Sequence, residues 1–261
     1  MPDSEIQTDE TKQHFDDIYV AKSPVPFKER IIDALDYISD DFNRAAFDRL
    51  ILPWSERLGE TRPLKLVDLC CCFGNTTLAV AHGMTVDDIR ANWADEASCR
   101  RAAKPRRLSL ETTGIDISGN ALAYAKGAGI FDTTIEANLN APEGEGFKAA
   151  EAALREADIV ISTASLVYLE PDSIRRLVAA FADGGKPGRM LVNFLNPFAL
   201  EKADETKRAL LAELAFVGSN ATRHRRLSPL EQENYPGEAW ALLEIWGLER
   251  ATPNISQDSE A

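Results

Sequence analysis

The stretch LVDLCCCFGNTTL, residues 66–78, decides how this chain is read. An apolar run reaches an acid, Asp68, a tight turn of small residues follows, and Asn75 stands where it can cap a helix. Strand, turn and helix N-terminus in immediate succession open a βαβ unit, and the free N–H groups of such a helix face whatever lies over the turn. The same rhythm continues downstream: LKLVDL from Leu64, ETTGIDI from Glu111, FDTTIEANL from Phe131, ADIVISTAS from Ala157 and RMLVNFL from Arg189 read as short strands. The spacing predicts helices over 75–89, 119–126, 147–157, 171–183 and 200–214. AWALLEIWGLER from Ala239 is a last strand, expected to run antiparallel beside its neighbour. Strands alternating with helices require a largely parallel sheet covered on both faces, because each crossover returns to the same end of the sheet.

Upstream of the first strand the pattern is helical. Phe27, Ile31, Ile32 and Leu35, then Phe42, Ala46, Phe47 and Leu50, recur at spacings of three and four, and Pro24, Pro26 and Pro53 punctuate them. The expected organisation is a helical N-terminal cap over 1–60, a Rossmann-like α/β domain over 61–251 and a disordered polar tail over 252–261. Residues 90–107 hold the basic cluster RRAAKPRR, read as a solvated helix and loop. TRHRRLSPLEQENYPGE from Thr222 reads as a polar insertion between the last two strands.

The chain has 261 residues, with Asp+Glu 42 against Lys+Arg 29, a net charge of −13. That length buries a sizeable core in one α/β domain. The acidic balance repels phosphate backbones, so no nucleic acid is expected as partner. The N-terminus has no apolar signal core, no stretch is long and apolar enough to span a membrane, and the four cysteines, three of them consecutive, suit a reducing cytoplasm. Neighbouring cysteines do not close a tetrahedron, so no metal is expected.

Ligands of open parallel sheets bind beyond the carboxyl ends of the strands, where strand order reverses. At those ends the chain resembles the class I S-adenosylmethionine-dependent methyltransferases, whose first strand runs into an acid and a turn with three alternating glycines. Alignment on Asp68 puts Cys70 and Cys72 at the first two glycine positions and Gly74 at the third, a branch with a modified loop. Glycine there permits positive φ and close approach to the cofactor, whereas cysteine carries a Cβ. TTGIDIS places Asp116 where the family sets a carboxylate on the ribose hydroxyls and Ile117 where a side chain packs on adenine. EANLN places Asn138 and Leu139 at the adenine edge, and ADIVISTASLVYLEP places Ser162 and Thr163 near the amino-acid end of the cofactor.

The resemblance implies a doubly wound seven-stranded methyltransferase sheet. It further implies S-adenosylmethionine held by Asp68, Cys70, Cys71, Cys72, Gly74 and Asn75 at its methionine part. Tyr19, in HFDDIYVAKSP, is expected to fold over the cofactor, and Tyr168 and His224 to serve the transfer side, with a small molecule as methyl acceptor. Arg223, Arg225 and Arg226 are candidates for a carboxylate or phosphate on that acceptor. Two other readings stand beside this one: a binding or regulatory protein that keeps the fold without transfer, motivated by the missing glycines, and a thiol or redox function of the cysteines. Closely spaced glycines of a dinucleotide fingerprint are absent, and Ser165 lacks a GxSxG setting.

Overall fold

The structure, a computed structural model, describes residues 11–250; the tail 252–261 lies outside the described residues. The strands are β1 (Leu64–Leu69), β2 (Leu110–Asp116), β3 (Thr133–Glu136), β4 (Ile159–Ser162), β5 (Arg189–Asn196), β6 (Leu214–Arg226) and β7 (Trp240–Arg250). They form one sheet in the order β3-β2-β1-β4-β5-β7-β6. β1 to β5 run parallel, and β7 lies antiparallel between β5 and β6. This is the seven-stranded doubly wound architecture, and its order reverses between β1 and β4, which sets the crevice at the carboxyl ends of those two strands.

The helices are α1 (Asp16–Tyr19), α2 (Val25–Phe27) continuing into a π-helical turn at Lys28–Asp33, α3 (Ser39–Leu50), α4 (Leu52–Leu58), α5 (Asn75–His82), α6 (Val86–Asn92), α7 (Glu96–Ala102), α8 (Gly119–Gly127), α9 (Glu145–Glu156), α10 (Pro171–Ala182), α11 (Leu200–Glu213) and α12 (Pro229–Asn234). Strand alternation sorts the core into two layers. Val67, Leu69, Val160 and Val192 face Phe147 and Leu154 of α9 and Ile174, Leu177 and Phe181 of α10. Leu64, Leu66, Ile159 and Ile161 face Phe47 of α3, Ile51, Trp54 of α4 and Val80 of α5. By the same period of two, Asp68 turns toward α5, so a carboxylate lies under that helix instead of an apolar side chain. A third cluster joins Phe15, Ile18, Phe27, Ile31, Ile32 and Tyr37 to Phe73, Trp93 and Phe131, seating the N-terminal helices directly on the β1–α5 turn.

Three expectations need correction. The helix predicted over 75–89 is two helices: Gly83 (φ +67°) ends α5, and Thr85 opens α6 with a capping box to Asp88. Residues 222–226 are not a loop but the end of β6, and only the following α12 is inserted before β7. The basic cluster is not simply solvated, because Arg106 forks onto Asp132 and reaches Thr112, and Arg107 bonds Asp48 and the Val80 carbonyl, tying the α7–β2 connection to the sheet.

Candidate active site at the carboxyl edge

The turn after β1 carries the site. Cys70 and Cys72 adopt positive φ, +55° and +50°, and Gly74 follows at +82°. The cysteines therefore hold the backbone that glycine adopts freely, at a cost of about 1 kcal/mol each. Gly74 is irreplaceable on two grounds, since an added Cβ would also lie 2.9 Å from Ile130 Cγ2. Cys71 extends the ladder by donating its N–H to the Ile115 carbonyl at 3.0 Å, and its buried side chain enters the core beside Gly114. Cys71, one of the three cysteines expected to hold a cofactor, thus has its side chain in the core, its N–H on Ile115 and its carbonyl accepting the Gly74 N–H at 2.8 Å.

Asp116, ending β2, is nearly buried and grips that turn: Oδ2 accepts the Cys72 N–H at 2.8 Å and Oδ1 the Ser118 N–H at 2.8 Å. Each oxygen keeps a further lone pair. Next to it Ile117 is 63% exposed, an apolar platform beside a carboxylate. Asp68 is buried with Oδ2 accepting from Thr77 Oγ1 at 2.7 Å. Burial, joined by the negative fields of Asp40 and Asp116, pushes its pKa up to about 8. Burial also raises Asp116, against the backbone N–H groups it accepts.

Asp40 completes this group and was not singled out in the sequence. It sits in the first turn of α3, fully buried, accepting from Asn75 Nδ2 at 2.8 Å and Thr76 Oγ1 at 3.0 Å, so the cap and the start of α5 are joined through one carboxylate. Burial raises its pKa, offset in part by those donors. In SDDF it reads as an ordinary acid of a helix first turn. Among the described residues no cation lies within 4.0 Å of Asp40, Asp68 or Asp116.

The remaining predicted residues divide. Asn138 is exposed at the end of β3, with Oδ1 turned back onto the Asn140 N–H at 2.9 Å, whereas the side chain of Leu139 is buried in the core. Ser162 is buried, its Oγ 3.2 Å from the Leu69 carbonyl and 2.6 Å from Ser165 Oγ; Thr163 Oγ1 accepts from Asn43 Nδ2 at 3.2 Å. Tyr19 packs edge-on against Phe27 and lies within the fields of Tyr168, Cys72 and Arg225. Tyr168 occupies the turn after β4, its carbonyl accepting from Asn140 Nδ2 at 2.9 Å and its hydroxyl from Lys12.

His224, expected on the transfer side, is buried where β6 meets the start of α3. A bulge at Arg223/Arg225 breaks the alternation of β6, so His224 and Arg225 both turn inward. His224 shares a hydrogen bond with Ser39 and stacks edge-on against Tyr37. Burial, with the charges of Arg225 and Lys12, holds its pKa well below the ordinary range, and its hydrogen bond to Ser39 fastens β6 to the start of α3. The arginines are likewise engaged. Arg225 forks onto Glu231, both contacts 2.7 Å, Arg226 pairs with Asp36, and Arg223 lies over Trp240.

Burial pushes Cys70 up to about 12 and raises Cys71 and Cys72 well above the ordinary thiol range, which disfavours thiolate at all three. No helix of the described residues is long and apolar enough to cross a membrane.

No known protein family's sequence pattern matches the chain, and no curated protein does. Among solved structures, a magnesium protoporphyrin IX methyltransferase from Synechocystis PCC 6803 with bound SAH is similar over 83% of this chain and 86% of that one, at 13% identity and a TM-score of 0.46. The N-methyltransferase NodS from Bradyrhizobium japonicum WM9, in complex with S-adenosyl-l-homocysteine, is similar over 80% of this chain and 98% of its own, at 11% identity and a TM-score of 0.43. Geranyl diphosphate C-methyltransferase from Streptomyces coelicolor A3(2) covers 76% of this chain and 73% of its own, at 12% identity and a TM-score of 0.42. Likeness at this level extends to the chain trace and no further.

Proposed function

We propose that the carboxyl edge of the sheet binds S-adenosylmethionine and that the protein catalyses transfer of its methyl group to a small molecule. The observation that carries this reading is the β1–α5 turn, in which Cys70 and Cys72 hold a left-handed backbone that glycine adopts freely while Asp116 fastens the Cys72 N–H. The alternative of a fold that has lost its ligand rests on the missing glycines, and its ground weakens because Cys70 and Cys72 adopt the positive φ that glycine would permit.

The chemistry of the donor set fits the cofactor. Three buried carboxylates without a protein cation suit a ligand that brings its own positive charges, an ammonium and a sulfonium. Asp68, the backbone of residues 70–74 and Asn75 would hold the methionine part, with Ser162 and Thr163 at its amino-acid end. Asp116 has free lone pairs for a ribose diol, Ile117 offers its exposed face to adenine, and Asn138 with the Leu139 backbone borders the adenine edge. When bound, the cofactor would supply a methyl group on a sulfonium whose sulfur leaves as a neutral thioether, so the protein's task is in-line alignment and exclusion of water. Tyr168 and Tyr19, on the turn after β4 and on α1, are placed for those tasks.

The test is thermal melting of the full chain with S-adenosylmethionine, S-adenosylhomocysteine, ATP and NAD. The first two are expected to raise Tm with the logarithm of their concentration above Kd and the others not. Equal shifts with all four, or none, would contradict the reading.

A further inference from the structure

The segment of residues 11–14 crosses the carboxyl edge as a strap. Thr11 Oγ1 meets the Tyr235 hydroxyl at 2.6 Å, and the Gln13 N–H donates to Glu231 Oε1 at 3.0 Å, which fastens the strap to the α12 region. Between these ties Lys12 turns the other way. It is 5% exposed, its ammonium donates to the Tyr168 hydroxyl oxygen, and it lies 4.8 Å from the centroid of the Tyr168 ring. Its remaining contact is the Gln13 carbonyl at 3.4 Å. Among the described residues no carboxylate comes within 4.0 Å of this ammonium. The neighbouring cation behaves differently, for Arg225 is neutralised by Glu231.

A buried ammonium without a counter-ion is costly, and such charges are ordinarily paired. An ammonium has donors only, so the Tyr168 hydroxyl must accept from it, and the phenolic O–H is left to donate elsewhere. The Lys12 ammonium and the Tyr168 O–H therefore meet beside the turn after β4, and among the described residues no carboxylate lies within 4.0 Å of the ammonium. The site lies at the end of the sheet where the proposed cofactor's amino-acid portion would sit, and the acids there, Asp40, Asp68 and Asp116, are engaged with α5 and the β1–α5 turn.

We propose that Lys12 and Tyr168 form the anchoring site of the methyl acceptor, and that this acceptor carries an anionic oxygen group, a carboxylate or a phosphate. The inference rests on the methyl-transfer reading for the word acceptor; the anion site itself stands on the geometry of Lys12 and Tyr168.

The experiment titrates the full chain, by calorimetry, with benzoate, phenyl phosphate and neutral benzamide, and separately with S-adenosylhomocysteine. At least one of the anions is expected to bind and benzamide not, the better anion identifying the source. Lys12→Met should weaken anion binding roughly ten- to a hundredfold, the scale of a charge-assisted hydrogen bond, and Tyr168→Phe by about three- to tenfold. Lys12→Arg should restore most of the loss, which a role in merely holding the strap would not require. Benzamide binding as tightly as benzoate, undiminished anion binding in Lys12→Met, or no anion binding by a cooperatively melting protein would each overturn the proposal. Binding of S-adenosylhomocysteine without any anion would overturn the anchor alone. Lys12-dependent anion binding without S-adenosylhomocysteine would overturn the methyl-transfer reading and keep the anion site.

Discussion

Buried aspartates stand at both ends of the sheet, and their surroundings are opposite. At the amino end Asp158 is fully buried beside β4, yet Arg62 forks onto it at 2.7 and 2.8 Å, Lys186 approaches at 3.1 Å and the Lys65 N–H donates at 2.8 Å. Burial alone would raise its pKa; the donors outweigh it and hold the carboxyl below its ordinary range. Arg250 seals the same end through the carbonyls of Phe181, Ala157 and Lys186. At the carboxyl end Asp40, Asp68 and Asp116 are buried with neutral donors only, and all three are pushed up. The fold gives one end counter-ions from its own side chains and leaves the carboxyl groups of the other without a cation, where a doubly wound sheet takes its ligand.

The sharpest way to break this contrast is to remove one carboxylate from each end. Asp158→Asn should cost about 3 kcal/mol, lowering Tm by roughly 10 °C, with no change in affinity for S-adenosylhomocysteine. Asp116→Asn should show the reverse pattern, about a hundredfold loss of affinity with a stability loss of roughly 1–2 kcal/mol from the weakened hold on Cys72 and Ser118. Paired melting and titration of the two variants checks both, and similar profiles would erase the distinction between the ends.

A smaller effect concerns Asp68. Its pKa is higher folded than unfolded, so the folded state binds more protons between the ordinary carboxylate range and about 8. Its contribution to stability is therefore full at low pH and is lost as pH rises toward about 8. Asp68→Asn should flatten that fall, seen in denaturant melts from pH 5 to pH 8.5, while weakening cofactor binding about tenfold. A cationic ligand favours the ionised carboxylate, so calorimetry near pH 7 should register proton release as a heat that varies with the buffer.

The smallest effect is expected at the turn. Cys70→Gly and Cys72→Gly relieve positive φ, about 1 kcal/mol each, against a similar entropy that glycine adds to the unfolded chain. Stability and affinity should both stay nearly unchanged, by melting and titration. A large gain in affinity would mean that the cysteine side chains obstruct the site.

The parallel strands, most of the helices and the acids after β1 and β2 were legible because alternating apolar runs and strand-end carboxylates are local patterns. β6 was not, since LAFVGSNATRHRR is an edge strand, largely exposed and bulged twice, with no clean period of two. The break at Gly83 was hidden because Val86 and Ile89 of α6 continue the three- and four-residue apolar spacing of α5 past it. At the site, Asp116 and Ile117 stood out by position, but the left-handed angles of Cys70 and Cys72 are imposed by the surrounding fold. Asp40 and Lys12 matter through contacts with Asn75 and Tyr168, 35 and 156 residues away in sequence, and no local pattern announces those.

The most direct measurement is calorimetric titration of the wild-type chain and Asp116→Asn with S-adenosylhomocysteine. The account predicts a wild-type Kd of about 100 μM or tighter and a loss of roughly a hundredfold in the variant, with both proteins melting cooperatively. Absence of binding by the folded wild type, or equal binding by the two, would contradict it.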